Sequence, residues 1–188
     1  ETQFPRCGSY RVIGHRYRND VDTTRLADTT DSDKIALLQI TNWERSHPAI
    51  AHLLDHEDVQ SQWAHAITDQ GTRGRVLICE RDGVLVGVAA IEFDQEMGHL
   101  SLIEVAPDLR RALIGSRLLN AAADLAHRSG CVRLSCWLNE DQHDGRLFLE
   151  STGWGASGAT RTLSTATEDL DGAVVVDQIE LTTSLKTE

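Results

Sequence analysis

The chain is short of almost everything that would place it in a special class. Aromatic residues make up only 5 %, proline occurs 3 times in 188 residues and methionine once. No stretch approaches the roughly 18 consecutive apolar residues of a membrane helix, so no bilayer-spanning segment is expected. Positive charge is also scarce: 18 lysines and arginines face 29 aspartates and glutamates, a formal net charge of −11. Proteins that clamp phosphates along a nucleic acid usually carry the opposite sign, so nucleic acid is not an expected partner. The 4 cysteines follow no ligand spacing. Cys7 and Cys79 are isolated, while Cys131 and Cys136 fall on what reads as one strand, on opposite faces and too far apart to bridge. They read as reduced core thiols of a cytoplasmic protein. The chain opens at Glu1 rather than methionine, as expected of a fragment or processed product, and residues 1–30 carry no signal-peptide pattern.

What remains is ordinary globular composition, with 40 % hydrophobic and 25 % charged residues. The length fits one domain with its own core. Residues 1–22 are polar and weakly periodic, an N-terminal extension; residues 23–188 form the organised domain. TTRLA reads as a short strand, and Thr30, Asp31 and Ser32 are N-cap candidates for a helix carrying Ile35, Leu37, Leu38 and Ile40. Val59, Trp63 and Ile67 recur at four-residue spacing, which predicts a second helix over 56–70. RVLICERDGVLVGVAAIEFD reads as two antiparallel strands joined at Asp82-Gly83. HLSLIEVAP is a third strand, stopped at Pro107. The best helix covers residues 110–129, with Leu118, Leu119, Ala122, Leu125 and Ala126 as its apolar stripe and Gly130 as C-terminal stop. CVRLSCWLN is a strand, GRLFLEST a short helix ended at Gly153, and TGWGASGATRTLS and VVVDQIELTTSL are the last strands. The order is β α α β β β α β α β β: a mixed α/β domain.

Chemistry concentrates where the strand HLSLIEVAP turns into the long helix. The N–H groups at a helix start are free and point one way, which makes an anion cradle. Arg110 and Arg111 add positive charge there, and Gly115 is expected to permit close approach of a pyrophosphate. The run VAPDLRRALIGSRLL resembles the main motif of the GNAT superfamily of acyl-CoA-dependent N-acyltransferases: strand, V-x-P, (Q/R)-x-x-G-x-(G/A), apolar helix. Val105, Pro107, Arg110 and Gly115 match it, while Leu113 stands where the family usually has its first glycine. A second match follows at Asn139 and GRLFLESTGW, with Glu150, Gly153 and Trp154 in register. The resemblance covers about residues 23–185.

It implies a mostly antiparallel mixed sheet, splayed between its fourth and fifth strands and flanked by helices, with acetyl-CoA as co-substrate and no metal. Pantetheine is then expected along main-chain groups near Ile103 and Val105, and the pyrophosphate on Arg110, Arg111, Ala112, Leu113, Ile114, Gly115 and Ser116, with Asn139 across the cleft. A primary amine, on a small molecule or peptide, attacks the thioester directly. That chemistry needs a base, because an ammonium has no lone pair. His99 stands at the start of the fourth strand, where the family often places its base; histidine titrates near neutrality, which suits the role. Strict alternation would put Ser101 on the same face. Glu104 is the second candidate, turned inward if the strand carries a bulge. Glu92 and Glu96 follow, either acting through a water. The family's Tyr acid is replaced by Leu149, which leaves water or Ser151 to supply the thiolate's proton.

Other features fit blander roles. His52 and His56 lie one helical turn apart but lack a third metal ligand at recognisable spacing. Glu140, Asp141 and Asp144 read as acidic surface near the amine entrance, and Trp43 and Trp63 as core rather than substrate contacts. The alternative to an enzyme is a catalytically silent acyl-CoA-binding domain that regulates or scaffolds, favoured by Leu113 and Leu149. One lobe of a tandem protein, or a homodimer, is the remaining arrangement.

Overall fold

The computed structural model describes residues 22–46, 48, 54–69, 73–165 and 174–185. Residues 1–21, with Cys7, Tyr10 and Tyr17, and residue His52 lie outside it, as does most of the loop after the penultimate strand. The chain runs β1 (Asp22–Leu26), α1 (Ser32–Ser46), α2 (His56–Thr68), β2 (Gly74–Arg81), β3 (Val84–Asp94), β4 (Met97–Val105), α3 (Ile114–Arg128), β5 (Arg133–Asn139), α4 (His143–Ser151), β6 (Gly155–Thr165) and β7 (Val174–Ser184). One seven-stranded sheet has the order β1-β2-β3-β4-β5-β7-β6. Every pairing is antiparallel except β4 with β5. The expected mixed α/β architecture is the one observed.

Alternation along the strands sorts their side chains into two cores. On one face Leu77, Cys79, Ala89, Ile91, Leu134, Cys136 and Leu181 meet α3 and α4. On the other, Val76, Ile78 and Val88 meet Ile35, Ala36 and Leu38 of α1 and Val59, Trp63 and Ile67 of α2. The stripe of α3 is buried as the periodicity predicts, with Leu118, Ala122 and Ala126 each 0 % exposed. Two glycines let α3 lie close to the sheet. A Cβ at Gly87 would stand 2.9 Å from Leu118 Cδ1, and one at Gly98 would stand 2.7 Å from Leu134 Cδ2 and 3.2 Å from Ala126 Cβ.

Local chemistry sets the boundaries. Asp82 and Gly83, at φ 51° and 78°, form the left-handed pair of the β2–β3 hairpin. Gly130, at φ 89°, ends α3, with its N–H on the His127 carbonyl and the Cys131 N–H on that of Ala126. Gly153 ends α4 in the same way, its N–H on Glu150 and that of Trp154 on Leu149.

Three local expectations are corrected. A 3-10 turn, Thr29–Asp31, leads into α1 and is capped by Asp28, whose carboxylate accepts from the Thr30 N–H at 2.8 Å, whereas Asp31 closes the box by accepting from the Asp28 N–H at 2.9 Å. The long helix begins at Ile114 rather than at 110, because Pro107–Leu109 form a separate 3-10 turn and Leu113 adopts a left-handed conformation. Cys131 precedes β5 instead of lying on it, so it and Cys136 end in the same core. Burial pushes both thiols up, Cys136 to about 12, and Cys79, Cys131 and Cys136 are all free.

Candidate active site

The parallel ladder between β4 and β5 lasts only three rungs: Met97 with Arg133, Gly98 with Leu134, and His99 with Ser135. From Leu100 on, the β4 edge on the β5 side has no partner strand among the described residues. His99 and Ser135 form the last rung. His99 Nδ1 lies 2.6 Å from Ser135 Oγ.

Beyond that rung β4 carries a bulge. Ala90 faces Leu102 and Ile91 faces Leu100, so Ser101 is an extra residue with no counterpart. Leu100 therefore packs with α3 while Leu102 packs with α1 and α2, two residues of equal parity on opposite faces. Strict alternation therefore breaks between Leu100 and Leu102. The bulge instead puts Glu104 on the same face as His99 despite their odd spacing. Glu104 nevertheless lies about 13–16 Å further along the strand, at roughly 3.3 Å per residue. There its Oε2 accepts from Asn42 Nδ2 of α1 at 2.7 Å. Burial raises the Glu104 carboxyl above its ordinary range, opposed by the Asn42 hydrogen bond and the charge of Arg110.

Glu92 is the cross-strand partner of His99 on β3. A row of Glu92, His99 and Ser135 thus crosses three strands on the α1/α2 face. Glu96 sits in the β3–β4 turn outside this row, where its carbonyl accepts from the Val132 and Arg133 N–H groups. The helices α1 and α2 cover β2 to β4 on that face. Its β5–β7–β6 half carries polar groups instead: Arg161 stands 4.3 Å over the Trp137 ring and donates to Gln178, which in turn donates to Asn139 Oδ1 at 2.7 Å.

The second half of the site is the turn from Pro107 to Gly115. Arg111 and Leu113 have φ of 66° and 64°, and α3 starts directly after them. Left-handed residues leading into a helix gather successive N–H groups into a concavity that suits an anion. Leu113, 67 % exposed, thus adopts by itself the conformation a glycine would supply. Arg110 and Arg111 are exposed at the rim. Gly115 has a packing role that was not expected. A Cβ there would stand 3.3 Å from the Phe148 ring, so the missing side chain admits α4 against α3.

The position matching the family's tyrosine, Leu149, is 1 % exposed and points into the core. Ser151 donates to the Phe148 carbonyl within its own helix. Trp63 is buried, with Nε1 on Gln39 Oε1 at 2.8 Å, and His56 Nε2 lies 3.4 Å from Asp33. Among the described residues no three His, Cys, Asp or Glu side chains gather as a metal site, and no helix is long and apolar enough to cross a membrane. Sequence reasoning missed Ser135 and Asn42. The only signal for Ser135 was a hydroxyl among the apolar residues of a central strand.

Residues 37–154 match the Acetyltransferase (GNAT) family. No curated protein matches the sequence. Among solved structures, a ribosomal-protein-alanine N-acetyltransferase from Brucella melitensis is 21 % identical with a TM-score of 0.66, covering 87 % of this chain and 99 % of its own. The PaiA N-acetyltransferase from Thermoplasma acidophilum, in complex with coenzyme A, is 15 % identical with a TM-score of 0.65 and the same coverage. An acetyltransferase from Salmonella typhimurium with its cofactor acetyl-CoA is 21 % identical with a TM-score of 0.64, covering 89 % and 95 %. At these identities the likeness is one of fold.

Proposed function

Because the chain belongs to the GNAT acetyltransferase family, we propose that it transfers an acetyl group from acetyl-CoA to a primary amine of a small molecule or peptide by direct attack. One observation carries this reading: the β4–β5 ladder stops at the His99–Ser135 rung, and the β4 edge so freed leads straight to the N–H concavity before α3. An extended pantetheine arm matches a strand edge lacking a neighbour, and a pyrophosphate matches a helix start with two arginines beside it. In this proposal main-chain groups near Ile103 and Val105 hold the arm. Arg110, Arg111, Ala112, Leu113, Ile114, Gly115 and Ser116 cradle the diphosphate, and Asn139 lines the far wall.

The thioester then lies near the last rung, where His99 meets the reacting atoms. The amine nitrogen bonds to the carbonyl carbon, the C–S bond breaks, and the amine gives up a proton to a neighbouring group. Glu104 stays a secondary candidate, since its carboxyl is engaged with Asn42. A cytoplasmic setting and a homodimeric state belong to the same proposal, the first supported by three free, buried thiols.

Coenzyme A binds only the folded state in this reading, so it raises the melting temperature by mass action. A protein unmoved by millimolar coenzyme A overturns the proposal. Acetyl-CoA turnover against a panel of amines tests the reaction itself. Stabilisation without turnover of any amine assigns the chain to the silent acyl-CoA binders.

A further inference from the structure

Ser135 is 0 % exposed, in the middle of β5. Its Oγ has one hydrogen-bond partner among the described residues, His99 Nδ1 at 2.6 Å. A serine hydroxyl carries a single proton and two lone pairs, while a neutral imidazole has one N–H and one bare nitrogen. Two arrangements satisfy this contact. If Nδ1–H donates to Oγ, the serine's own proton is buried with nothing to receive it. If the hydroxyl donates to Nδ1, that proton is used and only an acceptor lone pair goes spare. Unpaired buried donors are the rarer and costlier exception, which selects the second arrangement.

We propose that Ser135 is a positioning residue that fixes the proton of neutral His99 on Nε2, so that His99 serves the reaction as a hydrogen-bond donor to the thioester carbonyl and not as its base. The proposal rests on the acetyl-transfer reading above. Nε2 has no partner among the described residues, so its N–H is available to substrate. A nitrogen that already bears a proton cannot take one from an ammonium. That task falls to Glu92, the cross-strand neighbour of His99, exposed on the same face and an acceptor when ionised. The balance is then complete. The ammonium gives one proton to the Glu92 carboxylate, directly or through water, and the freed amine attacks the carbonyl carbon. The carbonyl oxygen gains negative charge and accepts from His99 Nε2–H. As the C–S bond breaks the oxygen gives that charge up, the electron pair leaves on the sulfur as thiolate, and the second proton of the nitrogen is lost to solvent.

Two measurements on the full chain test this. Long-range proton–nitrogen correlation spectra of labelled protein, taken where the imidazoles are neutral, are expected to show His99 protonated on Nε2. Ser135→Ala is expected to move both ring nitrogens toward averaged values, and Ser135→Thr, which keeps the hydroxyl, to restore the fixed pattern. A spectrum showing the proton on Nδ1 overturns the assignment. The second measurement compares His99→Ala with His99→Gln, whose amide offers an N–H near the Nε2 position but no basic nitrogen. Losing a donor to a developing oxyanion lowers kcat by about 10²–10³. His99→Ala is expected to show that loss and His99→Gln to recover most of it, with coenzyme A stabilisation confirming that both variants fold. Equal losses in the two variants overturn the donor role and return His99 to the base. Unchanged rates in both remove His99 from the reaction while acetyl transfer stands. A wild-type protein that acetylates no amine defeats the functional reading instead, and the spectrum still decides where the proton lies.

Discussion

Asn42 of α1 donates to Glu104 of β4 across 2.7 Å, joining the helix over the site to the strand that forms it. Asn42 is 5 % exposed, and its Oδ1 has no hydrogen-bond partner among the described residues. The α1/α2 face therefore contains both a carboxyl raised by burial and an unused buried acceptor. Both are costs to folding that the sequence retains beside the cleft.

The sign of the Glu104 contribution follows from the direction of its shift. A carboxyl raised above its unfolded value favours folding fully below the ordinary carboxylate range, and that stability is lost as pH rises through the raised value. Glu104→Gln keeps the oxygen that Asn42 bonds and cannot ionise. It is expected to raise the melting temperature at neutral pH, by about 2–4 °C for each kcal/mol relieved. Melts from pH 4 to 8 check this: the variant gains on the wild type as pH rises. A variant that loses stability at pH 7 contradicts it.

Asp31 works in the other direction. Its side chain is 1 % exposed, and Arg25 grips both oxygens, at 2.7 Å and 3.0 Å, while the Asp28 N–H adds a third bond at 2.9 Å. The Arg25 hydrogen bond chiefly holds this carboxyl below its ordinary range, against the opposing cost of burial. The stability it brings is present above the ordinary carboxylate range and disappears as pH falls through the depressed value. Asp31→Asn is expected to cost about 1.5–3 kcal/mol near neutrality, the scale of a hydrogen bond to a charged group. Its acid unfolding is expected to be shallower than that of the wild type, as denaturant titrations at pH 7 and pH 3 can show.

The α3 stripe gives the plainest stability test. Leu118 is 0 % exposed and its Cδ1 fills the space that Gly87 leaves open over β3. Leu118→Ala removes that contact and leaves a cavity between two rigid elements, at a cost of about 2–5 kcal/mol. Chemical denaturation of the variant checks it. A loss below about 1 kcal/mol means the helix does not pack on this face.

Periodicity made the elements legible. Val59, Trp63 and Ile67 located α2 and Leu118 to Ala126 located the buried side of α3, because spacing alone determines what is buried, while Asp82-Gly83 located the hairpin by its turn chemistry. The bulge at Ser101 was different. Sequence allowed one in this strand but could not locate it, since one extra residue changes no composition and yet exchanges the faces of everything after it. His99 was legible as a candidate from its place at the strand start. Its partner Ser135 was not, because the pairing joins residues 36 apart through a three-rung parallel ladder that no local pattern encodes. The packing role of Gly115 was not legible either, since a glycine's neighbour belongs to tertiary structure and here it is Phe148.

The last test concerns Leu113, the residue that breaks the family motif. Its φ of 64° lies in the left-handed region, where a side chain other than glycine costs roughly 1–2 kcal/mol. The side chain is 67 % exposed, so packing repays little of that cost. Leu113→Gly removes the strain but adds freedom to the unfolded chain, a term of about 0.5–1 kcal/mol. The net expectation is a gain of up to about 1 kcal/mol in stability without ligand. The N–H groups before α3 already stand in the arrangement a glycine would give, so the stabilisation produced by coenzyme A is expected to be retained or increased. Melting curves of both proteins with and without coenzyme A measure the two quantities together. If the variant melts lower than the wild type, Leu113 makes contacts that its exposure does not show. If it melts higher but loses the coenzyme A shift, the side chain itself touches the cofactor, and the departure from the motif is a feature of binding.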